Sequence, residues 1–183
     1  MRLVPRHLYP FTPRRFDLDG LSMSYLDEGA GPPVVMVHGN PTWSFYYRRL
    51  VSALAPTHRC IVPDHIGMGL SDKPGDDRYE YTLARRVDDL ERLLDHLALD
   101  APVTLIVHDW GGMIGMAWAA RHPEKVARLV IMNTAAFPLP ADRRFHAPLR
   151  FTRTAVGGLL VRRFNAFSAA ATRLCVTRRP LAP

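Results

Sequence analysis

The chain has 183 residues, 48% hydrophobic and 22% charged, with a formal net charge of +7. That balance fits one domain with a sizeable core and excludes a disordered chain, a collagen and a disulfide-stapled scaffold. No apolar run approaches the ~20 residues of a membrane span, and prolines interrupt the Arg-rich first 15 residues, so neither a span nor a secretory leader is read and a cytoplasmic location is expected.

The predicted elements begin with two short strands over 15–28, turning at Asp19-Gly20, a hairpin signal. Val34-Val35-Met36-Val37 is a continuous apolar run, as in a strand buried on both faces. A helix over 43–55 follows, ending before Pro56. Cys60-Ile61-Val62 is a second buried strand, stopped by Pro63. Over 82–97 apolar residues fall at 83, 87, 90, 94 and 97, one helical stripe with Thr82 as N-cap. Val103 to Val107 is a third buried strand, Trp110 to Arg121 a helix, and Leu129 to Met132 a fourth buried strand. Past Phe137 the pattern changes to Pro, Arg and Phe, with a helix expected from about Ala155 to Ala171. Buried strands alternating with helices imply an α/β fold with a mostly parallel sheet and flanking helices.

Charge is unevenly placed along this order. Nine arginines and one acid lie from Asp142 onward, while the other 141 residues hold 15 basic and 16 acidic ones. Arginines interleaved with Phe145, Phe151, Phe164 and Phe167 offer phosphate-binding chemistry. No nucleic-acid motif accompanies them, and a solvated Arg face on a partly helical segment accounts for the pattern. No nucleic-acid partner is expected. Cys60 and Cys175 form no disulfide framework and no metal set, so neither metal nor cofactor is expected.

In parallel sheets the chemistry sits at the carboxyl ends of strands. Three such ends carry unusual residues: His38-Gly39-Asn40-Pro41, His108-Asp109-Trp110-Gly111-Gly112 and Asn133-Thr134-Ala135. A strand running into Asp109 and straight out into a helix has the form of a nucleophile elbow, the sharp turn of α/β-hydrolases. Its neighbours must be small so that strand and helix approach; Gly111, Gly112 and Gly115 serve on the helix side, while Val107 stands where serine hydrolases carry Gly. Taken alone, Asp109 reads as a helix N-cap. The crowding of glycines and the upstream His38–Ser44 loop favour a nucleophile. A carboxylate can displace a leaving group from carbon and form an ester, which water then hydrolyses with help from a general base and an oxyanion hole. His108, one residue before Asp109 on the strand, points to the opposite side and is not the base.

The runs HGNPTWSFYYR, PDHIGMGLSDKP and HDWGG together resemble the haloalkane dehalogenase family of α/β-hydrolases, from about residue 8 to the end. NTAAFPLP and the Asn165-Ala166-Phe167 segment are most similar to one branch, the β-lactone decarboxylases of bacterial olefin biosynthesis. The resemblance implies Asp109 as nucleophile, with Asn40 and Trp110 holding a halide or equivalent anion by side-chain N–H groups and forming the oxyanion hole by backbone N–H groups. His38, Gly39, Gly111 and Gly112 would support them. Met36, Gly67 and Gly69 look structural, and Asp64 and Ser71 are expected to fix a loop. The implied substrate is small and hydrophobic, a β-lactone or a haloalkane. Epoxide hydrolases share the elbow, but Asn40 and the lack of tyrosines after residue 81 argue against them.

The same fold orders its triad as nucleophile, acid, His. After Asp109 the acids are Glu124 and Asp142 and the histidines His122 and His146; His122 and Glu124 sit in a turn expected at the wrong end of the sheet. The chain is therefore expected to hold the N-terminal part of the core in 1–137 and the start of a helical cap in 138–183, to stop before the acid and the His, and to show little turnover alone. A non-catalytic fragment remains the alternative. The oligomeric state is not legible in the sequence.

Overall fold

The structure is a computed structural model that describes residues 4–136 and 147–174. The chain divides into two compact units, 1–137 and 138–183.

The first unit opens with a hairpin of β1 (Arg14–Leu18) and β2 (Leu21–Glu28). Asp19 and Gly20 both take positive φ, 55° and 79°, as the two central residues of a type I′ turn must. Then come β3 (Pro33–Val37), a 3-10 turn (Ser44–Tyr47) running into α1 (Arg48–Leu54), and β4 (Arg59–Pro63). The series continues with α2 (Leu83–Leu97), β5 (Val103–His108), α3 (Trp110–Arg121), a 3-10 turn (Pro123–Lys125) and β6 (Val126–Met132). The strands form one sheet in the order β1-β2-β4-β3-β5-β6. The β3–β4, β3–β5 and β5–β6 pairs are parallel, and β1 and β2 add antiparallel at the β4 side.

The apolar runs of β3, β4 and β5 are buried on both faces, as their lack of alternation demanded. Val35, Val37, Ile61, Leu105 and Val107 point to one face, where Val87, Leu90 and Leu94 of α2 and Ile114 and Trp118 of α3 cover them. Val34, Met36, Cys60, Val62 and Ile106 point to the other, packed against Tyr47, Val51 and Tyr9. α2 is capped by Thr82, whose Oγ1 accepts the Arg85 N–H at 3.2 Å. Its buried face is wider than the sequence stripe. Leu93 packs on Leu18, Leu21, Met23 and Tyr25 of the hairpin, so α2 serves two clusters, while Leu83 of the stripe is exposed.

Two expectations need correction. β6 forms where the apolar run predicted a strand, but it is not buried: Leu129, Val130 and Ile131 are 41%, 41% and 55% exposed. Among the described residues β6 pairs only with β5, and of its side chains those of Val126 and Met132, at its two ends, pack on the core. The single helix expected over 155–171 is two. In the second unit, α4 (Ala147–Phe151) precedes α5 (Ala155–Phe164) and α6 (Ala166–Leu174). Asn165 between them is left-handed, φ 51°, a conformation Asn tolerates and one that ends a helix. Thr154 caps α5 by accepting the Gly157 N–H at 3.1 Å. Asp142, Phe145, His146 and Cys175 lie outside the described residues, as do the last residues of NTAAFPLP and Arg143, Arg144, Arg178 and Arg179. Among the described residues no helix is long and apolar enough to cross a membrane.

Candidate active site

The topology sets the place. From β3 the chain moves to β4 on one side, and from β4 it crosses over to β5 on the other. The carboxyl ends of β3 and β5, paired in parallel through Val37 and Val107, thus flank the point where the winding reverses, the crevice where such sheets bind ligands. His38-Gly39-Asn40 leaves one strand there and Asp109-Trp110 leaves the other.

Asp109 stands between β5 and α3 with φ 53° and ψ −129°. A left-handed φ on a residue with a Cβ is strained and persists only where the surroundings impose it. Here they do. Its side chain makes no capping hydrogen bond to α3, which removes the simple N-cap interpretation. Instead the Asp109 carbonyl accepts the Gly112 N–H at 2.9 Å and the Thr134 Oγ1–H at 2.5 Å. The carboxylate turns to the neighbouring strand end, where Oδ1 accepts the Asn40 N–H at 2.7 Å.

Glycines permit the turn. A Cβ on Gly111 would run into the Val37 carbonyl oxygen, and one on Gly112 into Thr134. A Cβ on Gly39 would collide with the Asp109 side chain and approach the Trp110 nitrogen. Gly115 resolves the departure at position 107: an added Cβ would sit 2.6 Å from Val107 Cγ1. The bulk that α3 omits is supplied by the strand.

The predicted site residues are thus brought together in part. Asn40 meets Asp109 through its backbone, and Gly39, Gly111 and Gly112 line the turn. Trp110 is 41% exposed, and neither its indole N–H nor the Asn40 side-chain amide is hydrogen-bonded among the described residues. His38 is fully buried behind the loop rather than at its surface. Its ring stacks obliquely on that of His65, centroids 4.4 Å apart. Burial lowers the pKa of His38 to about 4 and drives that of His65 well below its usual value. His108 faces away from the site, as expected, and stacks on Tyr46 at 4.6 Å. His122 and Glu124 sit between α3 and β6, at the opposite end of the sheet, with His122 Nε2 on Glu91 at 2.9 Å. A cavity of 290 Å³ at that same end, beside Val103 and Trp118, holds none of the candidate residues.

Asp64 fixes the loops. Its buried carboxylate accepts the Ser44 N–H at 2.7 Å and the Leu70 N–H at 2.8 Å. Ser71 Oγ donates to the Asp64 carbonyl at 2.6 Å and accepts the Ser24 N–H at 2.8 Å. Burial raises the Asp64 pKa against the two N–H groups, which lower it. Thr134 and His65 had no assigned role in the sequence. Thr134 stood in a run noted only for its place at a strand end.

A sheet wound in this way, with an elbow on β5 and a backbone donor from the loop after β3, defines an α/β-hydrolase. The α/β-hydrolase fold family matches residues 32–182, and the chain belongs to it. It is 58% identical over 175 residues to a cis-3-alkyl-4-alkyloxetan-2-one decarboxylase of Shewanella oneidensis, covering 95% of this chain and 55% of that protein. It is 43% identical over 131 residues to haloalkane dehalogenase 2 of Mycobacterium bovis, covering 72% of this chain and 45% of that one. The crystal structure of the haloalkane dehalogenase DatA from Agrobacterium tumefaciens superposes with a TM-score of 0.80 at 28% identity, over 94% of this chain and 59% of DatA. The chain spans about half the length of these relatives.

Proposed function

We propose that Asp109 is the nucleophile of a haloalkane dehalogenase-like α/β-hydrolase whose substrate is a cis-3,4-dialkyl β-lactone. The observation that carries the reading is the strained Asp109 elbow, its carboxylate uncapped and held through one oxygen by the Asn40 N–H. The 58% identity to the decarboxylase, against 43% to the dehalogenase, favours the lactone.

With Oδ1 engaged, Oδ2 is the oxygen left to attack. Attack at the ring carbon that bears the lactone oxygen breaks that C–O bond. It forms an ester on Asp109 and frees a carboxylate on the adjacent carbon. When that carboxylate leaves as CO2, its bonding pair becomes the new C=C bond and expels the Asp109 carboxylate. On a haloalkane the same attack would expel halide, and water would then have to add to the ester carbonyl. The negative charge would develop on Oδ1, where the Asn40 N–H already points. The Asn40 amide and the Trp110 indole are uncharged donors suited to a weakly hydrated anion. The second unit, with 138–183, is assigned as the start of a helical cap, the substrate as small and hydrophobic, and the location as cytoplasmic.

The test incubates this chain with a cis-3,4-dialkyl oxetan-2-one and, separately, with a 1-haloalkane. Alkene and halide are followed, and peptides are mapped by mass spectrometry. Alkene from the lactone, or a covalent adduct on the Asp109 peptide that Asp109→Asn abolishes, is the expected result. Halide release without alkene would replace the lactone with a haloalkane. No adduct and no product from either would sink the nucleophile.

A further inference from the structure

The Asn40 N–H has to be aimed, and the sequence around it does not aim it alone. The Gly39–Asn40 bond is trans, so its C=O and N–H point in opposite directions. Anchoring the carbonyl on one side therefore directs the N–H to the other. The Gly39 carbonyl is anchored by three donors: the Thr42 N–H at 3.1 Å, Thr42 Oγ1 at 3.0 Å and His38 Nδ1 at 2.9 Å.

For His38 Nδ1 to donate, it must carry the ring proton. The loop after β4 settles this. The His65 backbone N–H, which can only donate, lies 3.1 Å from His38 Nε2, which must then be the bare acceptor. In return His65 Nε2 lies 3.1 Å from the His38 carbonyl oxygen, which can only accept, so His65 is protonated at Nε2. Each residue thus gives one hydrogen bond to the other, and both rings are fully specified. The two are wholly enclosed, at 0% and 3% exposure.

We propose that His38 and His65 form a reciprocal clip that positions the Asn40 N–H on Asp109 Oδ1, with His65 acting through His38 and the Gly39 carbonyl. Neither touches substrate; both are positioning residues. The proposal rests on Asp109 as the reacting carboxylate, but its geometry is independent of which substrate that carboxylate takes. The clip works with both rings neutral. A proton on His38 Nε2 would confront the His65 N–H and break the first bond. The charged groups that act on the pair come from the elements around it. Arg86 of α2 is buried, at 9% exposure, and opposes further positive charge on both rings. Asp109, at the start of α3, acts on His38 in the opposite sense, and burial outweighs it.

The experiment is NMR on the ¹⁵N-labelled chain. In the unmodified protein, imidazole ¹⁵N spectra at neutral pH should show His38 protonated at Nδ1 and His65 at Nε2. Either opposite tautomer overturns the clip without any variant having to fold. The Asn40 amide proton should resonate far downfield and exchange slowly, and Asp109→Ala, which removes the acceptor, should remove both signatures. His65→Leu and His38→Leu should move the Asn40 amide upfield and speed its exchange with the rest of the spectrum retained. His38→Asn, which keeps a donor for the Gly39 carbonyl, should restore them in part. An Asn40 amide indifferent to both leucine variants refutes the proposal. If no adduct forms on Asp109 while these shifts behave as stated, the nucleophile reading fails and the clip survives.

Discussion

Gly115 and Val107 are a matched pair, and a double-mutant cycle measures the match. A methyl at position 115 would meet Val107 Cγ1 at 2.6 Å, while its next neighbours, Leu105 Cδ2 and Val37 Cγ2, stand at ordinary contact, 3.5 and 3.6 Å. One methyl group is therefore the whole obstacle. Overpacking of this size costs about 1–3 kcal/mol, and the better helix propensity of Ala returns ~1 kcal/mol. Gly115→Ala should lose about 1 kcal/mol. Val107 is fully buried, and Val107→Ala deletes two methyls and leaves a cavity, a loss of about 2–3 kcal/mol. In the double variant the methyl added at position 115 occupies part of that cavity. The double variant should be more stable than Val107→Ala alone, with a coupling of ~1–2 kcal/mol. Urea unfolding with linear extrapolation reads all four corners of the cycle. Losses that add to within about 0.5 kcal/mol would show that the two residues do not compensate. The elbow's tolerance of valine would then need another cause.

Three further outcomes are expected. His38 has a pKa of about 4 in the folded chain against 6.5 unfolded, so between those values the unfolded chain takes up a proton that the folded one refuses. Its contribution is complete above pH 6.5 and is lost as pH falls towards 4, up to about 3 kcal/mol at ~1.4 kcal/mol per pH unit. Urea midpoints at about pH 7.5 and pH 5 should diverge more for the unmodified chain than for His38→Asn; equal divergence would exclude His38 as the source. Thr134→Val should cost about 1 kcal/mol by removing the hydroxyl that supports the Asp109 carbonyl, read by the same melts, and an unchanged midpoint would contradict it. Asp64→Ala leaves two backbone donors, on Ser44 and Leu70, without their acceptor. It should cost about 2–4 kcal/mol, and Asp64→Asn less, because one oxygen remains. An Asn variant as unstable as the Ala variant would argue against the hydrogen-bond account.

Most of the fold was legible because its signals are local. Val34–Val37, Cys60–Val62 and Val103–Val107 each carry burial on two faces within a few residues, and Asp19-Gly20 and Thr82 state a turn and a cap by chemistry alone. The elbow and its glycines were legible for the same reason. What escaped depends on neighbours distant in sequence. The apolar run of β6 says nothing about whether a partner covers it, and its burial was overestimated. Leu93 serves a hairpin far upstream, outside the helical stripe. His38 and His65 lie 27 positions apart on two different loops, each with an ordinary local reading. Thr134 supports Asp109 from the next strand end. Only the sheet's winding brings such pairs together.

The Asp64 carboxylate also governs how this loop set could be moved. By fastening the Ser44 and Leu70 amides at once, with Ser71 clamping Ser24 of the hairpin, it makes the segments 38–44, 64–71 and 22–25 a single mechanical part. Loop exchange, a common way to retune a hydrolase, would therefore fail here if the His38–Ser44 segment were grafted by itself. A transplant that carries Asn40 to another scaffold has to carry residues 64–71 with it, and a hairpin able to receive them.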